Sequence, residues 1–522
     1  MPAPMPHVTC LADLVRIAAR RDPAAVAIEH DRGRTTYAQL VDRSVRMASA
    51  MRALGLAPGD RVALFAQNCP EYLESYLGLQ WAGLVAVPAN YRLTPPELSY
   101  LLDNSGAKAL LIGEEYLPYL DRLRADGKRV PSTVVVYGSP QHHANAYERA
   151  LEQASPSLPP RTFGPGDPTA IFYTSGTTGF PKGAVMSHAV ILSRFGSWGW
   201  RYGITEEEVT LVPGPIFHQS FGSVALLTLS VGGRVVLRRE FSPEHALDDL
   251  QRFGVTWAFL VPTMMGGIAK AANALGRTLD LPRLRGLMSS GSRLQLTTIE
   301  GFEAAFPRAR LADTYGWTES GWITYCRHED ILGSDRSVGR ASFGCELAIL
   351  DEDGNELPRG REGTIYACNP IPFLGYHENA DATRSMRVGR WETGGDVGLI
   401  DERGFLHILD RKKDLIVSGG ENIYPAEIER VLVDHPKILD VAVVGVPDER
   451  WGESPRACVV PRRGESVTIE EIVAFCDGKI ARYKHPKSLH MLEILPRNSM
   501  GKVLRRQLRE QFWNDWRKGQ ET

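Results

Sequence analysis

The fold is decided by the stretch Tyr173-Thr-Ser-Gly-Thr-Thr-Gly-Phe-Pro-Lys-Gly183. The strand-like run TAIFYTSG leads into it, and its glycines let the backbone approach a ligand closely. Four hydroxyl side chains and successive N–H groups can surround a polyphosphate, and Lys182 adds a mobile positive charge. It is not a Walker A loop, because Pro181 stands where that motif has its second glycine. The stretch therefore predicts a phosphate-binding loop of another kind.

Strands and helices alternate on both sides of this loop. Upstream, RVALFAQN, GLVAVPAN and AKALLI read as strands, and the segments between them read as helices that start at Pro70 and after Thr94. Downstream, SPEHALDDLQRFG reads as a helix capped by Ser242, and the apolar strand WAFLVP follows it. Such alternation implies parallel crossovers. We expect an α/β fold with a large N-terminal domain of helix-covered sheets.

The elements become shorter and mixed after the charged run DRKKD. A helix opened by a Thr468/Glu471 capping box lies among strand-like runs such as ILDVAVVGVP. This pattern predicts a small, mobile α+β C-terminal domain. The expected divisions are an N-terminal adenylate-forming domain at 1–409, a hinge at 410–413 and the mobile domain at 414–522. Apolar residues at 504, 508, 512 and 516 favour docking of the last helix on the protein over membrane binding.

Composition limits the classes of function. A length of 522 residues suggests more than one domain, and a net charge of −2 gives no reason to expect nucleic acid as a partner. The seven cysteines are scattered without a CxxC pair, which fits reduced thiols in a cytoplasmic protein. No apolar run is long enough to span a membrane, and the N-terminus does not read as a signal peptide. We expect a cytoplasmic protein without integral membrane association.

Five further motifs follow the phosphate loop in a fixed order. They are Tyr315-Gly-Trp-Thr-Glu319, Gly394-Gly-Asp396, Asp410-Arg-Lys-Lys-Asp414, Ser418-Gly-Gly-Glu-Asn-Ile-Tyr-Pro425 and Pro496-Arg-Asn-Ser-Met-Gly-Lys502. With these motifs the chain resembles the adenylate-forming (AMP-binding) superfamily, in its acyl- and aryl-CoA synthetase branch. The resemblance runs over nearly the whole chain.

The resemblance implies an ATP-dependent carboxylic acid:CoA ligase. Such an enzyme forms acyl-AMP and pyrophosphate, and then acyl-CoA and AMP. The first step brings two anions together, the carboxylate and the α-phosphate, so it requires cations and a metal. Mg²⁺ is the implied cofactor, and the implied partners are a small carboxylic acid, ATP and CoA. A homodimer is left open.

The resemblance also assigns residues. Catalytic roles fall to Lys502, Glu319, His218 and Thr174, with Glu319 as the metal ligand and Lys502 between the carboxylate and the α-phosphate. Asp396 is expected to accept the ribose hydroxyls, and Gly394 departs from the family, which has Thr there. The ATP-binding set is Thr174, Ser175, Gly176, Thr177, Thr178, Gly179, Lys182, Gly291, Ser292, Arg293, Asp313, Thr314, Tyr315, Gly316, Thr318, Asp396, Arg411 and Lys502.

Thioester formation requires CoA to reach the acyl group, and the family achieves this by rotating the small domain. Lys413 is the expected pivot, and Gly419 and Gly420 would close on the pantetheine. Positions that resemble CoA contacts of aryl-CoA ligases are Trp451, Tyr483, His485 and Lys487.

The acyl pocket is expected around Pro215-Ile-Phe-His218-Gln-Ser-Phe-Gly222. His218 stands where domains that activate amino acids carry Asp. The expected pocket residues are His218, Gln219, Trp257, Val261, Gly316, Trp317 and Trp322. The two tryptophans Trp317 and Trp322 suggest a bounded pocket, which favours a medium-chain, branched or aromatic acid over a long fatty chain. Arg293 could neutralise a second carboxylate or face solvent.

Two other functions fit the same motifs. The first is a stand-alone adenylating enzyme that loads a carrier protein, and the choice of acceptor would separate it from a CoA ligase. The second is a catalytically inactive ATP-binding regulator. The presence of Lys182, Glu319, Asp396, Arg411 and Lys502 disfavours it, and an ATP–pyrophosphate exchange assay would decide.

Overall fold

The structure is a computed structural model of the whole chain. It describes residues 8–138, 146–174, 180–276, 279, 281–291, 294, 296–333, 337–411, 416–423, 425–496, 503 and 505–520. Within these ranges the α/β architecture expected from the sequence is confirmed. A large N-terminal domain of sheets and helices is followed by a small C-terminal domain with its own sheet.

Helices occur along the whole chain. Those of the large domain are α1 (Leu11–Arg21), α2 (Tyr37–Ala53), α3 (Pro70–Trp81), α4 (Pro95–Ser105), α5 (Leu117–Ala125), α6 (Tyr147–Gln153), α7 (His188–Tyr202), α8 (Gln219–Val231), α9 (Pro243–Arg252), α10 (Pro262–Ala274), α11 (Leu296–Ala305), α12 (His328–Gly333) and α13 (Ala380–Ser385). Those of the small domain are α14 (Pro425–Leu432), α15 (Ile469–Cys476) and α16 (Arg505–Gln520). Short 3-10 turns lie at Glu114–Tyr116 and Arg482–Lys484.

The strands follow the same chain order. The first half of the large domain has β1 (Val26–His30), β2 (Gly33–Thr36), β3 (Arg61–Phe65), β4 (Val85–Pro88), β5 (Ala109–Gly113), β6 (Thr133–Tyr137), β7 (Pro168–Thr174), β8 (Lys182–Ser187), β9 (Val209–Val212), β10 (Arg234–Leu237), β11 (Trp257–Leu260), β12 (Gly286–Ser289) and β13 (Arg310–Asp313). Next come β14 (Gly316–Trp317), β15 (Gly321–Trp322), β16 (Thr324–Arg327), β17 (Arg340–Ala341), β18 (Glu346–Leu350), β19 (Gly363–Cys368), β20 (Gly375–Tyr376), β21 (Arg387–Val388), β22 (Trp391–Glu392), β23 (Asp396–Ile400) and β24 (Leu406–Arg411). The small domain has β25 (Ile416–Ser418), β26 (Glu421–Ile423), β27 (Ile438–Asp448), β28 (Gly452–Pro461) and β29 (Ser488–Met491).

Two large sheets form the core of the first domain. In the described residues, one sheet has the order β20-β8-β7-β4-β3-β5-β6, and its β4, β3, β5 and β6 run parallel, as the alternating pattern predicts. The other has the order β17-β16-β13-β12-β11-β9-β10-β1-β2. Neither sheet is built from one continuous segment. The chain enters the second sheet with β1 and β2, builds most of the first sheet, and returns to the second at β9.

The sequence signals for helix ends are found where they were expected. Helix α4 begins after a capping box in which Thr94 and Glu97 satisfy each other, and it ends at Gly106 in the left-handed conformation. The Thr468/Glu471 capping box opens α15. In α16, Leu508 and Phe512 are buried against the small domain, which supports docking of this helix on the protein.

A third sheet carries the chain to the small domain. It contains β21, β22, β19, β23 and β24, with β18 beside β19. Its last strand ends at Arg411, and the small domain's first strand begins at Ile416, so the predicted hinge at 410–413 lies at this junction and partly outside the described residues. No helix in the described part of the chain is long and apolar enough to cross a membrane.

Candidate active site

The predicted phosphate loop runs between the two strands of a hairpin. Strand β7 ends at Thr174, β8 begins at Lys182, and these two residues pair across the hairpin. This pairing fixes both ends of the loop, although Ser175–Gly179 lie outside the described residues. The Lys182 ammonium stands 5.4 Å from the centre of the Tyr376 ring. Because Tyr376 belongs to β20, the strand on the other side of β8, the predicted phosphate-binding lysine has an aromatic support.

The Glu319 carboxylate lies directly beside this hairpin. Its Oε1 accepts a hydrogen bond from the Thr174 hydroxyl at 3.3 Å and another from the Tyr376 hydroxyl at 2.6 Å. Glu319 is buried, so these donors fix its position. The structure thereby brings together Thr174, Lys182 and Glu319. Sequence analysis did not identify Tyr376, because only the pairing of β20 with β8 brings it here.

A buried arginine forms hydrogen bonds with the backbone that carries Glu319. Arg194 donates to the carbonyl oxygens of Thr318, at 3.2 Å, and of Glu319. With its amide oriented to satisfy both neighbours, Gln219 donates to the same Thr318 carbonyl at 2.8 Å and accepts from Arg194 at 2.8 Å. Burial lowers the pKa of Arg194 to about 10, which leaves it charged at neutral pH. Sequence analysis predicted Gln219 but not Arg194.

Asp396, the residue expected to bind the ribose, accepts a hydrogen bond from a tyrosine hydroxyl. Asp396 is buried, and its Oδ2 accepts a 2.6 Å hydrogen bond from the Tyr315 hydroxyl. Arg411 pairs with Asp396 along neighbouring strands, although its side chain lies outside the described residues. The predicted nucleotide residues Tyr315 and Asp396 are therefore in direct contact.

Trp317, predicted to line the acyl pocket, lies beside the predicted nucleotide residue Tyr315, and its pocket role stays a prediction. A Cβ built on Gly394 would stand 2.9 Å from Cδ2 and 3.0 Å from Cε3 of the indole, so a side chain there has no room. Trp317 also contacts Tyr315 edge to face at 5.9 Å. The departure at Gly394 thus has a steric reason. Next to it, Gly316 is required because a Cβ would stand 1.8 Å from the Gly321 carbonyl oxygen.

His218 caps the helix that borders the site. Its Nδ1 accepts from the backbone N–H of Ser220 at 3.3 Å, which places the proton of the neutral ring on Nε2. Burial lowers its pKa, whereas the negative charge of Glu421, from the small domain, acts in the opposite direction. His218 is therefore mainly neutral at pH 7, as a ring that lines an acyl pocket requires.

The predicted acyl side is filled with aromatic rings. Trp322 is 6% exposed and packs against Trp198 with ring centres 4.3 Å apart and against Phe259 at 5.5 Å. Trp257 is buried nearby and contacts Tyr202. Val261 lies next to the small domain, because a Cβ built on Gly420 would stand about 3.0 Å from its methyl carbons. The predicted acyl residues thus include a cluster of aromatic rings and one residue that borders the small domain.

The small-domain candidates occupy different environments. Gly419 has a positive φ and lies against the Trp451 ring, and the Tyr483 hydroxyl accepts from Asn90 of the large domain at 3.3 Å. Lys487 is exposed. His485 is buried and donates from Nε2 to the Ile480 carbonyl, so a contact inside the small domain occupies its ring.

The remaining candidates divide into two groups. Gly291, Asp313 and Thr314 lie at the ends of β12 and β13, neighbouring parallel strands, as expected for residues around one base. Outside the described residues lie Ser292, Arg293, Lys413 and Lys502, so their predicted roles stay predictions.

Comparison with known proteins gives the family. The profile described as AMP-binding enzyme matches residues 15–377, and that of the AMP-binding enzyme C-terminal domain matches residues 427–502. The chain belongs to the AMP-binding enzyme family. Within it, the chain falls in the acyl- and aryl-CoA synthetase branch of the adenylate-forming superfamily.

Similar proteins match over nearly their full lengths. Fatty acid–[acyl-carrier-protein] ligase ScoC of Streptomyces coeruleorubidus is 34% identical, with 98% of each chain covered. Feruloyl-CoA synthase of an Amycolatopsis species is 35% identical over 95% of this chain and 97% of its own. Among solved structures, a double mutant of o-succinylbenzoate CoA synthetase from Bacillus subtilis, bound with a product analogue, has a TM-score of 0.85 and 29% identity, covering 95% of this chain and 97% of its own.

Proposed function

We propose that this AMP-binding enzyme is an ATP-dependent carboxylic acid:CoA ligase that works in two steps on a compact acid. The observation that carries the proposal is the meeting of Thr174, Glu319 and Tyr376 beside Lys182. This group places a carboxylate and a cation at the end of the predicted phosphate loop. Because the chain belongs to the family of AMP-binding enzymes, we assign ATP as the substrate of this group of residues.

In the first step, an oxygen of the acid attacks the α-phosphorus of ATP and pyrophosphate leaves. Thr174 and Lys182 hold the terminal phosphates, and the Thr318 hydroxyl binds the α-phosphate. Arg194 and Gln219 keep that segment in place by binding its carbonyl oxygens. Lys502 neutralises the two anions that meet. Such fixed donors are effective because they need no reorganisation during the reaction.

Glu319 suits a magnesium ion. Mg²⁺ commonly takes one or two carboxylates and completes its coordination with substrate phosphates and water. Glu319 is buried and is oriented by two hydroxyl donors beside the loop. When bound, the ion would neutralise charge on the phosphates of ATP.

In the second step the CoA sulfur attacks the acyl carbonyl and AMP leaves. The contact of Gly420 with Val261 brings the small domain's glycine segment, Gly419 and Gly420, against the predicted acyl residues. This supports the observed arrangement of the two domains as the one for thioester formation. Two adjacent glycines with positive φ let the backbone approach a thin substrate arm. The proposed hinge at Lys413 would move this segment away for the first step.

The ring cluster around Trp322 supports a compact acid. Trp198, Phe259 and Trp322 pack into one ring cluster beside the predicted acyl residues, and we propose that this cluster forms the end wall of the pocket. Aromatic, branched or medium-chain acids can end at such a wall, whereas a long chain would have to displace it. We therefore rank aromatic and medium-chain acids above long fatty acids.

A panel of acids tests the proposal. Pyrophosphate release is measured with benzoate, ferulate, 2-succinylbenzoate, hexanoate and palmitate, each with ATP and Mg²⁺ and with or without CoA. We expect release with at least one compact acid and CoA-dependent thioester in the same reaction. No pyrophosphate with any acid would contradict the proposed activity, and palmitate as the best substrate would contradict the compact pocket.

A second candidate activity is loading of a carrier protein, favoured by the 34% identity to a fatty acid–[acyl-carrier-protein] ligase. Both acceptors present the same phosphopantetheine thiol. Competition between CoA and a holo-carrier protein for one preformed acyl-AMP separates them. Thioester on CoA alone supports the main proposal.

Location and assembly complete the proposal. All seven cysteines are free thiols, which supports a reducing, cytoplasmic location. A homodimer is the proposed assembly, and light scattering of the purified protein would measure it.

A further inference from the structure

Lys484 is a buried lysine between the two domains. Its side chain is 4% exposed, and its Nζ lies 2.9 Å from Oε1 of Glu97 in the large domain and 2.7 Å from Oε2 of Glu427 in the small domain. A buried ammonium is stable only when carboxylates surround it. Here two carboxylates do so, and each comes from a different domain.

The large-domain partner is itself fixed. Oε2 of Glu97 accepts from the backbone N–H of Thr94 at 2.8 Å and from its hydroxyl at 3.0 Å, as part of the cap of α4. The other oxygen, Oε1, is therefore held in one place and directed at Lys484. Glu427 lies in the first turn of α14, immediately after the glycine segment of the small domain.

Further contacts join the large domain near Glu97 to the small domain near Glu427. Arg92 forms an ion pair with Glu421, which follows Gly420 in the chain. The Thr94 hydroxyl oxygen also lies 3.3 Å from the Lys479 carbonyl oxygen. The large-domain side of this contact is thus one short segment, residues 90–97, and the small-domain side carries the glycines that approach Val261. Among these contacts, the ion pair of Lys484 with Glu427 is the buried one, and Glu97 extends it to the large domain.

We propose that Lys484 is a positioning residue of thioester formation, which holds the glycine segment against the acyl side by joining Glu97 to Glu427. This inference rests on the proposed two-step function. When the small domain rotates away, Lys484 keeps Glu427 but leaves Glu97, so the Glu97 contact exists in one arrangement only. An interaction present in one of two states shifts their equilibrium, whereas one present in both shifts nothing.

The test measures the two half-reactions separately. Lys484→Met removes the charge and keeps much of the length of the side chain, and Glu97→Gln changes only the large-domain partner while keeping an oxygen for the cap. Adenylation is followed by pyrophosphate release without CoA, using hexanoate or the fastest acid of the panel. Thioester formation is followed by mixing the matching synthetic acyl-AMP with CoA.

We expect Lys484→Met to slow thioester formation about ten- to a hundred-fold and to change adenylation less than about three-fold. Glu97→Gln should do the same to a smaller extent. The double variant should be no slower than Lys484→Met alone, because both substitutions remove one interaction. Arg482→Met is the matched control, since its side chain is exposed in the same 3-10 turn and should change neither step.

Retained adenylation would show that the Lys484→Met protein has folded. If Lys484→Met does not fold, Glu97→Gln still tests the inference, because it leaves the small domain unaltered. Equal loss of both half-reactions in Glu97→Gln, or an unchanged thioester step in a folded Lys484→Met, would overturn the inference. Failure of the proposed function would look different, because the wild-type protein would then release no pyrophosphate or form no thioester.

Discussion

The indole of Trp317 covers the backbone of Gly394 so closely that a Cβ at position 394 would stand 2.9 Å from its Cδ2 atom. The two residues come from separate motifs and meet beside the Tyr315–Asp396 hydrogen bond. The family's threonine at position 394 and a tryptophan at position 317 therefore exclude each other in this backbone. The pair explains a departure that the sequence alone left open.

The first prediction follows from this contact. Gly394→Thr should push the indole toward Tyr315 and raise the KM for ATP about ten-fold, within the usual cost of overpacking of about 1–3 kcal/mol. The double variant Trp317→Ala with Gly394→Thr should recover most of the loss, because the ring no longer obstructs the new side chain. KM for ATP is measured by pyrophosphate release.

Gly166→Thr serves as the control, since a Cβ there meets nothing within 4 Å. An unchanged KM in Gly394→Thr, or no recovery in the double variant, would show that the packing does not limit ATP binding.

Trp322 gives a prediction about chain length. Trp322→Leu should open the ring cluster and shift preference toward longer acids, by at most about four-fold per added carbon, since one buried methylene contributes about 0.8 kcal/mol. The ratio of kcat/KM for octanoate and hexanoate is the measurement. The exposed Trp200, at 66% exposure, provides the control Trp200→Leu. The same ratio in wild type and Trp322→Leu would remove Trp322 from the pocket wall.

Substitution of Lys502 should slow the first half-reaction and spare the second, whereas substitution of Lys484 should slow the second and spare the first. Lys502→Ala should slow acyl-AMP formation about a hundred- to a thousand-fold, as the loss of one preorganised charge contact commonly does. It should convert supplied acyl-AMP with CoA at nearly the wild-type rate, because the small domain has by then rotated. Rapid mixing measures both rates, with the exposed Lys128→Ala as control. Equal damage to both steps would contradict the two-arrangement mechanism.

His188 predicts how stability depends on pH. It is 1% exposed and stacks on Phe163 at 4.8 Å, and burial lowers its pKa to about 4, although Asp167 and Asp13 act against this and Arg161 acts with it. The unfolded chain binds this proton near pH 6.5, whereas the folded chain binds it only near pH 4. The contribution of neutral, buried His188 to the free energy of unfolding should therefore be fully present above pH 6.5. It should be lost as the pH drops toward 4, and the loss should be at most about 3 kcal/mol.

Urea unfolding at pH 7, 5.5 and 4.5 measures this loss. His188→Phe should show a weaker decline over that range, whereas His245→Phe, at an exposed position, should follow the wild type. An identical decline in wild type and His188→Phe would mean that other groups cause it.

Local patterns were sufficient to predict much of the fold. The parallel strands from Arg61 to Gly113, the caps at Thr94 and Thr468 and the helix after Ser242 lie where propensity and capping place them. These features depend on residues a few positions apart. The short, ordered motifs assigned Tyr315 and Asp396 to one nucleotide site, and the structure brings these two side chains into contact, whereas their roles toward ATP stay predictions.

Contacts between distant segments were not accessible. Tyr376 reaches Glu319 only through the pairing of β20 with β8, and Arg194 reaches Thr318 only because α7 passes beneath it. Sequence analysis selected Tyr483 and His485 as CoA contacts, which stay predictions. It did not select Lys484, whose ion pair with Glu97 joins the two domains. That ion pair depends on how the two domains pack, which the spacing of residues along the chain does not determine.

The exchange of strands between the two large sheets has a consequence for synthesis of the chain. Strand β8 receives its outer neighbour from Gly375–Tyr376, and β1 receives its parallel neighbour only when β10 has been made. A growing chain that has emerged from the ribosome as far as the phosphate loop therefore has two unfinished sheet edges. Such edges are the surfaces on which nascent proteins aggregate. Nearly the whole large domain must be translated before the hairpin that carries Lys182 is enclosed, so ATP can stabilise this protein only late in its synthesis.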